Sequence, residues 1–401
     1  MTYPPAQPPY GSAPQPYASA PSTPGPYGAV TPLAPDPVGP SQYGTPPAAP
    51  ADRGDWSLSW HGVRTVARLE LTQRIRSTRW KTALIVWFVV VGGISILIST
   101  AASFGSAYGE IKTGPLIFGL NVFFILGLGL LVTPTLSSSA INGDRNAGTL
   151  AILQVTLLTP LEITLGKLLA GWCAALAFLA VSIPFIVWAF FAGGVPVLAV
   201  LTTLLLLSFI LAVVCAFSLA LSSLVTKTSG STMLSYLIVA GLSFLSFILF
   251  LLTLIPMTSE DTVQVQRASA YDSDTGEVTE CQLETYTRST VHTERTWWLL
   301  AINPFVMVAD ASPGGETFGD DGANPLAAMR DAVRVARAGQ EEPWTDCPSE
   351  ISGIEETDPS TAPVWPLGLV FYVLLGAGSV ALTVRRIRIP QRKLARGTRV
   401  A

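Results

Sequence analysis

The sequence predicts an all-α polytopic membrane protein with six transmembrane helices and a mixed α/β extracytoplasmic insertion between helices five and six. Three observations carry that prediction. Charged residues make up only 13% of the 401-residue chain, and mean hydropathy is +0.47, whereas a soluble domain has about a quarter of its residues charged. Six apolar runs each approach the roughly 20 residues a helix needs to cross a bilayer. Basic residues crowd the two flanks of this set of runs, and acids crowd the one long polar interruption.

Residues 1–55 are rich in Pro, Ala, Gly, Ser and Tyr, with repeated PPY, QPY and GPY steps. Such a composition supplies no core, so a disordered cytoplasmic tail is expected, with recruitment of a proline-binding partner as the lesser reading. Residues 56–81 turn helical. Trp60, Val63, Ala67, Leu71 and Ile75 recur at steps of three or four beside a stripe of Arg64, Arg68, Arg76 and Arg79. That pattern suits an amphipathic helix on an anionic leaflet, an elbow that touches a cytoplasmic partner or simply anchors the chain.

Transmembrane helices one to five occupy 82–256, as Thr82 to Thr100, Pro115 to Ser137, Leu168 to Phe191, Val195 to Val225 and Ser231 to Pro256, and the sixth occupies 364–384. The turn Phe191 to Val195, FAGGV, makes the third and fourth a tight hairpin. Orientation follows from lysine and arginine near the span ends. Arg64 to Lys81 precede the first span and a basic tail, 385–401, follows the last. Both termini are therefore expected in the cytoplasm, with the chain in the plasma membrane. Arg145, Lys167 and Lys227 also fall inside on that count.

The acidic loop 257–363 then lies outside. TVQVQRASAY and EVTECQLETYTRSTV flank the turn DSDTG and alternate as a hairpin does. Asn324-Pro325 starts a helix whose apolar face is Leu326, Met329, Val333 and Ala336, with Gly339 as its stop. Between them, TWWLLAINPFVMVADASPGG is too short to cross and return, so a half-inserted hairpin broken at Asn303-Pro304 is expected. Cys281 and Cys347 share this loop, where a disulfide can persist. Cys173 and Cys215 sit in apolar spans as small buried thiols.

The stretch that carries chemistry is 141–169, INGDRNAGTLAILQVTLLTPLEITLGKLL. Set between strongly apolar spans, it holds charges of both signs, among them Asp144, Arg145, Glu162 and Lys167. Gly148 to Leu158 reads as a short helix with one apolar face, broken by Thr159-Pro160. No G-x-x-x-x-G-K-[ST] loop occurs in the sequence: Gly166-Lys167 runs on into Leu168. His61 and His292 are the only histidines, so no metal site, cofactor or nucleic-acid partner is expected.

The order Asp144-Arg145, Gly148-Thr149-Leu150, Leu158-Thr159-Pro160 and Gly166-Lys167 resembles the ABC-2 type permeases, the membrane subunits of ABC exporters. That family usually has glutamate where this chain has Asp144. The likeness covers about 56–390 in architecture and 141–169 in motif. It implies that 144–160, with Leu153 on its apolar face, docks on a separate ATP-hydrolysing subunit. Arg145 would pair with acids there, Gly148 would allow close approach and Thr159-Pro160 would fix the turn. It also implies assembly as a homodimer, or as a heterodimer with a second permease, in contact with membrane lipids, and no catalysis by this chain itself.

Function classes divide on the spans. Between Lys167 and Glu260 the sole charge is Lys227, whereas ion-coupled carriers need charged partners within the bilayer. An ATP-driven permease has no such need, and an apolar route suits an amphipathic or lipid-like cargo. Asn121, Trp172, Ser182 and Tyr236 are candidates to line that route or to pack helices together. The competing reading is a membrane-anchored binding or assembly protein whose acidic outer domain does the work. An intramembrane hydrolase needs a base and a nucleophile that the spans do not offer.

Overall fold

The computed structural model describes residues 54, 56–105, 113–149, 158–271, 278–314, 318–319, 322–339 and 362–388. The proline-rich tail, Leu150, Leu153, the DSDTG turn, Cys347 and residues 389–401 of the basic C-terminal tail lie outside that set.

Six helices are long and apolar enough to cross a membrane. Helix α1 (Trp60–Arg76) stops at Ser77, whose backbone is extended, and α2 (Thr78–Gly105) sets off anew. The stretch 56–81 is thus not one element, and its apolar stripe divides. Val63, Val66 and Ala67 are buried against the third span, while Trp60 and Ile75 are 67% and 59% exposed. Packing on another helix, rather than contact with lipid along one face, sets the rotation of α1.

Helix α3 (Gly114–Ser137) is followed by the short α4 (Asn142–Asn146), then α5 (Pro160–Phe191) and α6 (Val197–Leu224). The α5–α6 turn uses left-handed backbone at Gly193 and Gly194, φ 88° and 82°, which glycine adopts without strain. The fifth span is α7 (Thr228–Ala240), a π turn over Gly241–Leu245 and α8 (Ser246–Leu254). The last is α12 (Trp365–Ile387). Helices α3, α5 and α6 form the middle of the bundle, where Val122, Leu126, Ile186, Leu207 and Ile210 are essentially inaccessible. Spans one and five present most of their surface outward.

Asn121, Trp172, Ser182 and Tyr236 each make a hydrogen bond to a neighbouring helix. Ser95 donates to Asn121 Oδ1 at 2.8 Å, Trp87 Nε1 to Ser182 Oγ at 2.9 Å, Trp172 Nε1 to the Ser208 carbonyl at 2.9 Å and Tyr236 to the Leu131 carbonyl at 2.7 Å. Bonds of this kind hold one apolar helix to the next where the hydrophobic effect between helices is absent.

The insertion before α12 is mixed. Strands β1 (Thr258–Tyr271) and β2 (Val278–Val291) pair antiparallel from Thr258↔Val291 to Tyr271↔Val278, with the register shifting after Ala268. Cys281, opposite Ala268, is disulfide-bonded. Cys173 and Cys215 are free. The apolar stretch that follows is two short helices, α9 (Trp298–Ala301) and α10 (Pro304–Ala311), broken where the Asn303 side chain caps α10 by accepting from Phe305 N. Its amide donates to the Ser243 carbonyl of the π turn at 2.7 Å. After two-residue strands β3 (Phe318–Gly319) and β4 (Gly322–Ala323), α11 (Pro325–Ala338) is capped by Asn324 and ended by Gly339 at φ 80°.

Asp310 closes this end. Its side chain is fully inaccessible and pairs with Arg334 Nε of α11 at 2.7 Å. Its Oδ2 accepts from Val364 N and Trp365 N at 2.6 and 2.7 Å. A carboxylate on the free N–H groups at a helix start satisfies donors that the helix itself cannot and complements its dipole.

Candidate functional site

At the opposite end of the bundle a second carboxylate, Glu162, starts two helices. Thr159 is the N-cap of α5, its Oγ1 accepting from Glu162 N at 3.2 Å, and Glu162 Oε2 accepts in return from Thr159 N at 2.9 Å. This is the reciprocal capping box that the order Thr-x-x-Glu permits. The other oxygen, Oε1, accepts from Ser59 N at the head of α1 at 2.7 Å, and Thr159 Oγ1 donates to the Ser57 carbonyl at 2.8 Å. Glu162 is 1% exposed. Its two oxygens thus satisfy backbone donors at two helix starts that the helices themselves cannot satisfy.

Small residues let α1 come that close. A Cβ on Gly62 would meet the Glu162 carboxyl at 2.9 Å, and one on Gly166 would meet Val66 Cβ at 2.6 Å. One turn further along α5, Lys167 is 2% exposed and lies between two acids. Its Nζ donates to Asp144 Oδ2 at 2.5 Å and to Glu70 Oε1. Three elements, α1, α4 and α5, therefore meet at one ammonium group.

The near end of the connection is held as firmly. Ser222 Oγ of α6 accepts from Ile141 N and Asn142 N at 3.0 and 3.1 Å. The Asn142 amide donates to Ser231 Oγ of α7 at 2.8 Å, and that hydroxyl lies 2.6 Å from the Ser138 carbonyl. Ile141 also packs with Leu219 and with Ile387 at the end of α12. The stretches 138–146 and 159–167 are thus tied by hydrogen bonds, ion pairs and packed side chains to α1 and to the second to sixth spans.

A family model described as ABC-2 family transporter protein matches residues 64–326. That is most of the chain, and it takes in α1, five of the six spans and the outer insertion as far as α11. The chain belongs to this family. It is accordingly a component of membrane transport. No curated protein matches it significantly.

In this ABC-2 family member the expected site residues fall into three groups. Asp144 and Lys167 are joined in the ion pair, and Thr159 and Pro160 open α5, with Gly166 at its crossing with α1. Arg145, Gly148 and Thr149 are exposed. Gly148 has φ 72° with open space around its α-carbon, and Thr149 Oγ1 donates to the Asp144 carbonyl at 3.3 Å. Leu150 and Leu153 lie outside the described residues. The motif glycine and lysine at 166–167 lie in the second turn of α5, which begins at Pro160. They seat α1.

Glu70 and Glu162 are the residues that sequence reading did not assign. Thr-x-x-Glu at 159–162 carried a capping signal for the second. The first stands 97 positions from its partner and left no local sign. Among the described residues no His, Cys, Asp and Glu group could hold a metal ion.

Proposed function

We propose that this chain is the transmembrane subunit of an ATP-driven exporter, worked by a separate nucleotide-hydrolysing subunit that docks on the connection between α4 and α5. One observation carries the proposal: the connection is pinned at both ends, by Asn142 and Ser222 on one side and by Thr159 and Glu162 on the other, while Arg145 between them is exposed. An element held at both ends can pass a push on to the helices that hold it. In this reading both termini and the Glu162–Lys167 end face the cytoplasm of a plasma-membrane protein. Two such subunits, identical or not, form the path, and the cargo is amphipathic or lipid-like.

The alternative of a membrane-anchored binding protein has less support. Asp310 and Asn303 bind the outer insertion to the first turn of α12 and to the π turn of the fifth span, so the insertion is continuous with the spans and not carried on them.

Co-purification tests the partner. An ABC ATPase subunit from the same cells should co-elute with this chain from detergent, and Arg145→Glu or Leu153→Asp should abolish co-elution while the variant stays folded. Retention of the ATPase by both variants rejects the docking site. Sidedness is tested by Asn146→Cys: labelling by a membrane-impermeant thiol reagent on intact cells would reverse the orientation and end the proposal.

A further inference from the structure

We propose that the groove between α2 and α3, at the end next to α1, binds an anionic phospholipid, with an acyl chain in the groove and the phosphate against Arg74 and Arg79. The groove encloses about 730 Å³, within the range of small-molecule sites. Its walls are apolar, with Val86, Trp87, Leu128 and Leu131 among them. Val86 and Leu131 are 54% and 55% exposed, so it opens sideways onto the outward face of two spans, which lipid covers, and not toward water. One end is polar and of one sign: Arg74 and Arg79 line it, and among the described residues no carboxylate does. Apolar length, lateral opening and cationic end together have the layout of a phospholipid.

Arg74 provides an independent observation. Its Nη2 donates to the Leu136 carbonyl at 2.9 Å, which fixes the guanidinium at the end of α3. Its Nη1 is shut off from solvent and has no hydrogen-bond partner. A buried donor without an acceptor is costly, and the nearest acid on α1, Glu70, is engaged by Lys167. A phosphate oxygen is an acceptor suited to a guanidinium fork, and a lipid entering from the open side of the groove would supply it once the guanidinium turned Nη1 toward the groove. A basic residue at the membrane surface attracts anionic lipid in any case. What is specific here is the fixed guanidinium and the groove beside it.

Trp80 and Trp87 line the groove and report its occupancy. The full chain is reconstituted into phosphatidylcholine nanodiscs containing either acyl-brominated phosphatidylglycerol or acyl-brominated phosphatidylcholine. Tryptophan quenching is then compared, with Trp80→Phe to isolate the local signal and circular dichroism to confirm helix content. Brominated phosphatidylglycerol should quench Trp80 at lower mole fraction. Arg79→Gln should reduce the preference about five-fold, and Leu131→Phe, which narrows the groove without altering charge, should weaken quenching by both lipids. Arg64→Gln, on the exposed side of α1, should change nothing.

Equal quenching by the two lipids overturns the proposal. So does an equal loss in Arg64→Gln and Arg79→Gln, which would mean diffuse surface charge, or restoration of fluorescence by millimolar inorganic phosphate, which would mean a free-anion site. None of these readouts involves the ATPase, so the docking site and the lipid site stand or fall separately.

Discussion

Glu162 and Asp310 are both buried carboxylates that accept from backbone N–H groups at helix starts, one at each end of the bundle, yet their surroundings differ. Asp310 holds one helix start and one arginine, all within the insertion and the last span. Glu162 holds the starts of two helices far apart in sequence, and the cation beside it, Lys167, pairs with Glu70 on α1 and Asp144 on α4, acids that are themselves partly exposed. The Asp310 end is closed on itself. The Lys167 end is held by ion pairs whose outer members, Asp144 and Glu70, are within reach of a partner's charges. A surface meant to be moved by another protein benefits from contacts that can be exchanged, and a surface meant to stay put does not.

The largest effect should therefore come from the closed end. Asp310→Ala strands two backbone donors and Arg334, and should lower stability by about 3–5 kcal/mol, read as thermal unfolding in detergent. Lys167→Met should cost about 2–3 kcal/mol, since Asp144 and Glu70 retain some access to water. The pair Glu70→Gln with Lys167→Met should recover part of that loss in a double-mutant cycle. A larger cost for Lys167→Met than for Asp310→Ala would reverse the contrast. Gly166→Ala, which sets a methyl against Val66, should cost about 1–3 kcal/mol and loosen α1, measured as faster amide exchange across 60–76. Smallest of all, Arg145→Glu should leave stability within about 0.5 kcal/mol while abolishing ATPase co-elution. A destabilisation as large as that of Gly166→Ala would mean that Arg145 supports the fold and is not kept free for a partner.

The spans, the β-hairpin and α11 were legible because each rests on a local rule: apolar length for the spans, alternation for β1 and β2, and the Asn324-Pro325 start with the Leu326 to Ala336 face for α11. The stripe on α1 misled because Trp60 and Ile75 have the same hydrophobicity as Val63 and Val66, and only the third span, a hundred residues on, decides which of them is covered. Gly166-Lys167 was legible as a motif but not as a structure. What glycine and lysine do there depends on Val66 and Glu70, and no spacing within 141–169 records those partners. Asp310 offered a cue that went unused: a lone acid within the apolar stretch 297–311 needs a buried donor set, and the next helix start supplies it.

The π turn in the fifth span has one further consequence. There Ser246 N reaches back to the Gly241 carbonyl, one residue beyond the regular repeat, and Asn303 from outside the span takes the Ser243 carbonyl. If that turn relaxed to an ordinary helix and the carbonyl returned to its own chain, Asn303 would keep only its bond to Ser246 Oγ, at 3.1 Å. Winding of this one membrane segment and attachment of the cap above it are thus a single degree of freedom, and anything that twists the segment loosens the cap.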